Sequence, residues 1–175
     1  MALHRLSSVV VGVPNLDETA RYYTDFGLTP VDPADSTERA FHTLDGGEQL
    51  RLVRTPVRRL VQLTIGADDH DDLRRVTERL TRLGIDAART SVSVTAVEPA
   101  TGVRATVAVT PRIDQPTVPA TPYNGPGRRE RVNTRAPGVR RTGPVRPRKL
   151  GHVVLGTTDL ATTERFFLDG LGFKL

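Results

Sequence analysis

Apolar positions in residues 1–110 run through one order of periodicities twice. Residues 5–13, with Val9, Val10 and Val11 adjacent, are rich in β-branching and predict a strand, which Pro14 and Asn15 end. Residues 16–26 predict a helix with Asn15 as its cap, Asp17 and Glu18 in the first turn, and Gly27 as the stop. A short strand near 29–31 and strands at 39–44 and 49–53 follow. Asp45-Gly46-Gly47 separates the last two as a hairpin signal. The order then recurs with different letters. Residues 60–65 read as a strand, and 68–84 as a helix with Leu73, Val76, Leu80 and Leu83 on one face. Strands at 85–89, 91–97 and 103–109 close the set, the last two joined by a turn over 98–102. Val103, Ala105, Val107 and Val109 alternate, as a sheet with one face in a core requires. Neither βαβββ unit can bury its apolar face alone. Residues 1–110 therefore predict one α+β domain of paired βαβββ modules.

The periodicity collapses over residues 111–149, where eight prolines and four glycines interrupt it; this stretch predicts an interdomain connector. A third copy then opens. Leu6-Ser7-Ser8-Val9-Val10-Val11-Gly12 matches Leu150-Gly151-His152-Val153-Val154-Leu155-Gly156, and Arg21-Tyr22-Tyr23-Thr24-Asp25 matches Arg165-Phe166-Phe167-Leu168-Asp169. One inserted residue, Gly170, brings Phe26-Gly27-Leu28 onto Leu171-Gly172-Phe173. The copy predicts a strand at 150–155, Thr157-Thr158-Asp159 at a helix start, and a helix at 160–168. Residues 150–175 thus read as the truncated start of a second domain. Leu160, Phe166, Phe167, Leu171 and Phe173 would lie wet without the rest of a sheet. The tail is therefore expected to be poorly ordered, to pack on the N-terminal domain, or to form a homo-oligomer by strand exchange.

Composition changes this picture little. Hydrophobic residues at 37% and charged residues at 26% of 175 suit a globular chain, and the absence of cysteine excludes disulfides and thiolate metal sites. No signal-peptide pattern and no run near the roughly 20 apolar residues of a membrane span occurs, so a cytoplasmic protein with no membrane partner is expected. The charge is informative because it is uneven. Residues 128–149 hold nine Arg or Lys against Glu130, a net +8, which leaves −3 for the rest of a chain whose total is +5. That stretch lacks aromatic residues for base stacking and is broken by prolines. It reads as a connector wrapping an acidic-leaning body rather than as a nucleic-acid binder.

The paired units and their strand openings resemble the vicinal oxygen chelate superfamily of glyoxalases, bleomycin-resistance binders and type I extradiol ring-cleaving dioxygenases. Thr121-Pro122-Tyr123-Asn124, Asn133-Thr134-Arg135-Ala136-Pro137 and Pro147-Arg148-Lys149-Leu150-Gly151-His152 resemble the interdomain passage of the dioxygenases. So do Asp159 and the run from Phe166 to Lys174. The resemblance implies a non-catalytic N-terminal domain and a C-terminal domain that holds Fe(II) through two histidines and a carboxylate, with a catechol as substrate. It makes His152 the first metal ligand. Ser8 stands at the matching place in the first copy, where a hydroxyl is a poor iron donor. One imidazole does not hold iron usefully, so no complete catalytic set and no bound cofactor are expected of this chain. The alternative is a non-catalytic small-molecule binder of the glyoxalase or bleomycin-resistance type that needs dimerisation to form a cavity. A glyoxalase-type isomerase ranks below both, since it needs ligands in the first two units.

Other candidates have plainer readings. His70 lies in Asp68-Asp69-His70-Asp71-Asp72, whose acids are expected to complement a helix N-terminus and stay solvated rather than bind a cation. His4 and His42 are expected to be ordinary surface or strand residues. Tyr22 and Tyr23 are expected to pack on the sheet.

Overall fold

Strand β1 (Leu3–Val13) is the centre of the molecule, because its valines have apolar partners on both sides. The computed structural model describes residues 3–31, 37–117, 122–133 and 144–174. β1 is followed by α1 (Leu16–Asp25), β2 (Thr29–Val31), β3 (Glu38–Thr43) and β4 (Gly47–Arg54). The second unit is β5 (Arg59–Ala67), α2 (His70–Arg82), β6 (Ala87–Arg89), β7 (Ser93–Val97) and β8 (Arg104–Val109). All eight strands join one mixed sheet in the order β2-β3-β4-β1-β5-β8-β7-β6. β1 runs parallel to β4, β5 runs parallel to β8, and the two halves meet where β1 pairs antiparallel with β5. The paired-module α+β architecture expected from the periodicity is therefore present.

Register fixes which face is covered. Val9 stands opposite Leu50 and Leu63, and Leu63 opposite Ala105. These side chains are buried together with Ile65, Val107, Val94 and Ala96, under Leu16 of α1 and Leu73, Val76 and Leu80 of α2. The residues between them in sequence face the other way. Ser8, Val10, Arg51, Gln62, Thr64, Thr95 and Thr106 are only half-buried, and the hydroxyls of Thr95 and Thr106 meet at 2.9 Å. One face of the sheet is thus apolar and helix-covered, and the other is polar.

The helix starts differ in chemistry. Asn15 precedes α1 as expected, but its amide donates to the Glu18 carboxylate (3.0 Å) instead of accepting from a helix N–H. Asp69 caps α2 by accepting from the Asp72 N–H (2.9 Å), and Asp159 caps α3 (Leu160–Arg165) by accepting from the Thr162 N–H (3.1 Å).

The tail beyond residue 144 packs on the N-terminal body, one of the three outcomes expected. The N–H groups of Leu44 and Asp45 donate to the carbonyls of Pro147 (3.0 Å) and Arg148 (2.8 Å), and Arg148 Nε donates to Asp45 Oδ2 (2.6 Å). Buried Gln49 then ties three segments. Its Oε1 accepts from the Leu150 N–H (2.7 Å), while its Nε2 donates to the Ser7 carbonyl (3.0 Å). Upstream, within the connector, a short hairpin not anticipated from the sequence pairs β9 (Asn124–Gly125) with β10 (Arg128–Arg129). There Arg128 lies 4.5 Å from the centre of the Tyr123 ring.

Two expectations for the third copy need correction. Residues 150–155 form no strand: Leu150, Val153 and Leu155 pack on the core, the last two at the alternating spacing, but their backbone has no neighbouring strand among the described residues. Packing on one side satisfies the apolar alternation without the ladder that defines a strand. The following helix is also not regular throughout. After α3 the chain makes a π-helical turn over Phe166–Leu171. A π-turn takes up one extra residue, and Gly170 is the residue inserted relative to the first copy. The widened turn brings Gly170 against α2, where an added Cβ would lie 3.1 Å from Leu80 and 3.3 Å from Leu83. Phe166 and Leu171 are fully buried and Phe167 and Phe173 partly so; of the five side chains expected to be wet, only Leu160 is mainly exposed.

Gly27 joins this tail to α1. Its φ is +101°, and an added Cβ would lie 1.9 Å from the Val145 carbonyl oxygen. Gly84 ends α2 with φ +70° and open space around it. Gly84→Ala is expected to cost only the backbone strain, about 1–2 kcal/mol. Gly27→Ala is expected to cost more, because the chain at Val145 must also move. Thermal melts of the two variants check this; equal losses would contradict a tight contact at Val145.

Candidate functional site

His152 is brought to the mouth of a cleft of about 630 Å³ between the tail and the helix-bearing face of the sheet. Leu3, Leu6, Leu63 and Ile65 form its floor, and Val153, Leu155, Phe167 and Phe173 its tail-side wall. The imidazole is exposed. Ser8, its counterpart in the first copy, lies on the opposite, polar face at the register of Thr64. The two matched positions therefore share an origin in the repeat but not a site.

Neither the His70 cluster nor His4 adds a donor to His152. Asp69 is used as the α2 cap, and Asp71 lies 3.7 Å from Arg74. Asp72, expected to be solvated, is instead buried and accepts from Arg75 Nη1 (2.9 Å). Asp68 receives Arg112 at 2.8 and 2.7 Å, and the Arg112 hydrogen bond holds its carboxyl below the usual carboxylate range. The His4 imidazole is buried in β1, 3.9 Å from Asp68, and its Nε2 has no hydrogen-bond partner among the described residues. His42 is exposed on β3. Among the described residues, no three His, Cys, Asp or Glu side chains gather as a metal site.

The aromatic pairs follow the repeat in geometry but not in burial. Tyr22 and Tyr23 meet edge-on with ring centres 5.2 Å apart, as Phe166 and Phe167 do. Tyr23 packs towards Phe41 at 6.0 Å, as expected. Tyr22 does not reach the sheet: it is 57% exposed and stacks on Phe26, whereas its counterpart Phe166 is 0% exposed beneath α2.

Two polar residues that carry no sequence signature of a site, Glu98 and Arg5, lie where the body meets the tail. Glu98, assigned only to a turn, is fully buried and accepts from the N–H groups of Ala100 (3.0 Å) and Thr101 (2.7 Å), from the Thr101 hydroxyl, and from Thr163 Oγ1 of α3 (3.3 Å). The available signal was an acid followed by N–H-presenting turn residues and a threonine at the third position. Arg5, at the start of β1, borders the cleft; Nε donates to the Pro111 carbonyl (3.2 Å), and Nη1 is buried with no partner among the described residues. No sequence signal marked it.

No family model and no curated protein matches the chain. Solved structures do. A halotolerant catechol dioxygenase, BphC, superposes with a TM-score of 0.70 at 15% identity, over 98% of this chain and 56% of its own. A Mn(II)-bound glyoxalase from Novosphingobium aromaticivorans gives 0.65 at 18% identity over 98% and 54%, and a catechol 2,3-dioxygenase gives 0.63 at 17% over 94% and 57%. The fold is the one shared by these two catechol dioxygenases and the glyoxalase. The chain spans little more than half the length of these structures. No helix among the described residues is long and apolar enough to cross a membrane.

Proposed function

We propose that the chain is the non-catalytic half of an extradiol-type dioxygenase joined to the opening of its iron-binding domain. In this reading residues 1–110 are the catalytically empty domain, 111–149 the connector, and 150–175 the first part of the domain that carries the chemistry. The observation that carries it is internal: in the sequence repeat His152 stands at the position that Ser8 holds in the first copy. The superposition of nearly the whole chain on about half of two catechol dioxygenases supports it.

The residues present do not fit the iron site the fold family implies. A facial triad needs two imidazoles and a carboxylate on one side of the metal. His152 stands alone and exposed, and the acids nearest in the fold to other histidines are taken up by arginines or a helix cap. No step of ring cleavage is therefore assigned to these side chains. In the intact protein a catechol is the expected substrate, and the cytoplasm the expected place.

The gene tests this reading. It predicts that codons following Leu175 encode a further domain of roughly 100–150 residues with a second histidine and a later glutamate on strands. A stop codon there, or an unrelated sequence, contradicts it. An oxygen-electrode assay of the 175-residue chain with catechol and ferrous ion is expected to show no enzymatic uptake; turnover proportional to protein would overturn the assignment of the missing ligands.

A further inference from the structure

We propose that the cleft beside His152 binds a small amphipathic carboxylate, its apolar body between the sheet and the tail and its anionic end at Arg5. The inference stands apart from the dioxygenase reading, since it uses neither iron nor the polar face of the sheet.

Three observations converge. The first is shape and polarity: a space of about 630 Å³ floored by Leu63 and Ile65 and walled by Phe167 and Phe173 lies in the range of small-molecule sites. The two phenylalanine rings, 5.4 Å apart, favour a flat or aromatic body. The second is charge. Arg5 and Lys174 border the cleft, and among the described residues no Asp or Glu does. Yet the chain outside residues 128–149 is net negative.

The third is an unmet hydrogen-bonding demand. Arg39, Arg51, Arg74, Arg75, Arg112, Arg128 and Arg148 each face a carboxylate. Arg5, like Arg54, has a single carbonyl partner, and among the described residues its buried Nη1 has none. Partial burial lowers its pKa from the ordinary arginine value, the direction expected where a cation loses some of its water. A ligand carboxylate at that end supplies the missing acceptor, and a planar guanidinium suits it geometrically. A neutral ligand of the same shape fills the space without meeting the demand. The site is formed within one chain, so it does not need the dimerisation that a cavity-forming binder of this fold was expected to require.

The test uses 1-naphthoate and its uncharged analogue 1-naphthalenemethanol, titrated into the full chain by calorimetry. The expected result is saturable binding of one naphthoate per chain, at least about tenfold tighter than the alcohol. Arg5→Gln is expected to remove that preference while leaving the alcohol's affinity within about twofold. Val153→Trp, which fills the cleft from the tail side, is expected to abolish both. Should Arg5→Gln fail to fold, the acid-to-alcohol ratio of the unmodified chain and the Val153→Trp result carry the test. Absence of saturable naphthoate binding, equal affinity for acid and alcohol, a preference that survives in Arg5→Gln, or binding unaffected by Val153→Trp would each overturn the proposal.

Discussion

Phe166→Ala is expected to destabilise the chain by about 3–5 kcal/mol, the cost of emptying a fully buried aromatic site. The equivalent change in the first copy, Tyr22→Ala, is expected to stay within about 0.5 kcal/mol, as surface substitutions do. The two residues descend from one repeat position and keep the same edge-on partner geometry, so the contrast isolates burial. Phe166 is covered because Gly170 widens the helix into a π-turn and lets it lie against α2. Urea unfolding of both variants measures the difference, and hydrogen exchange over residues 160–171 locates it. Comparable losses from the two changes would mean that the tail does not depend on this contact.

Glu98→Ala is the second large effect. It removes the acceptor for two turn N–H groups and for the hydroxyls of Thr101 and Thr163, the first three partly buried and the last fully so. Leaving buried donors unpaired costs about 1–3 kcal/mol, and more where the lost partner was charged. The pH dependence follows from the carboxyl itself. Burial pushes its pKa up, but hydrogen bonds from Thr101, the Ala100 N–H and Thr163 outweigh that, and the net shift is downward. A folded-state pKa below the unfolded value of about 4.3 means that Glu98 contributes its full stabilisation above that value. The contribution is lost as pH falls through the folded-state pKa. Glu98→Gln is therefore expected to be less stable than the parent at neutral pH, with the gap narrowing in acid. A gap that stays constant from pH 7 to the acid limit would contradict a charged Glu98. Thr163→Val removes the link between Glu98 and α3, together with the Thr163–Thr157 hydroxyl contact at 2.9 Å, and is expected to expose that helix to exchange with a smaller loss.

The eight strands and two long helices of residues 1–110 were legible because each has a periodicity of its own. Leu63 and Ile65, and Ala105 and Val107, recur at the strand period, and Leu73, Val76 and Leu80 at the helical one. The third copy was legible as a repeat but not as a structure. Its letters specify a strand and a helix, yet a strand exists only with a neighbour, and residues 150–155 lie along side chains instead. Gly170 was visible as an insertion, but not its consequence, a π-turn seated on Leu80 and Leu83. The candidate site divides the same way. His152 was marked by the contrast with Ser8, whereas Arg5, Gln49 and Glu98 matter through partners 42 to 106 residues away or through burial, which local patterns do not encode.

Anaerobic titration of the folded chain with ferrous ion, followed by calorimetry, bears most directly on whether these residues can hold the family metal. A solitary exposed imidazole predicts no saturable site at micromolar protein, and the same trace for His152→Ala. One-to-one binding that disappears in His152→Ala would show that a full donor set assembles within these 175 residues.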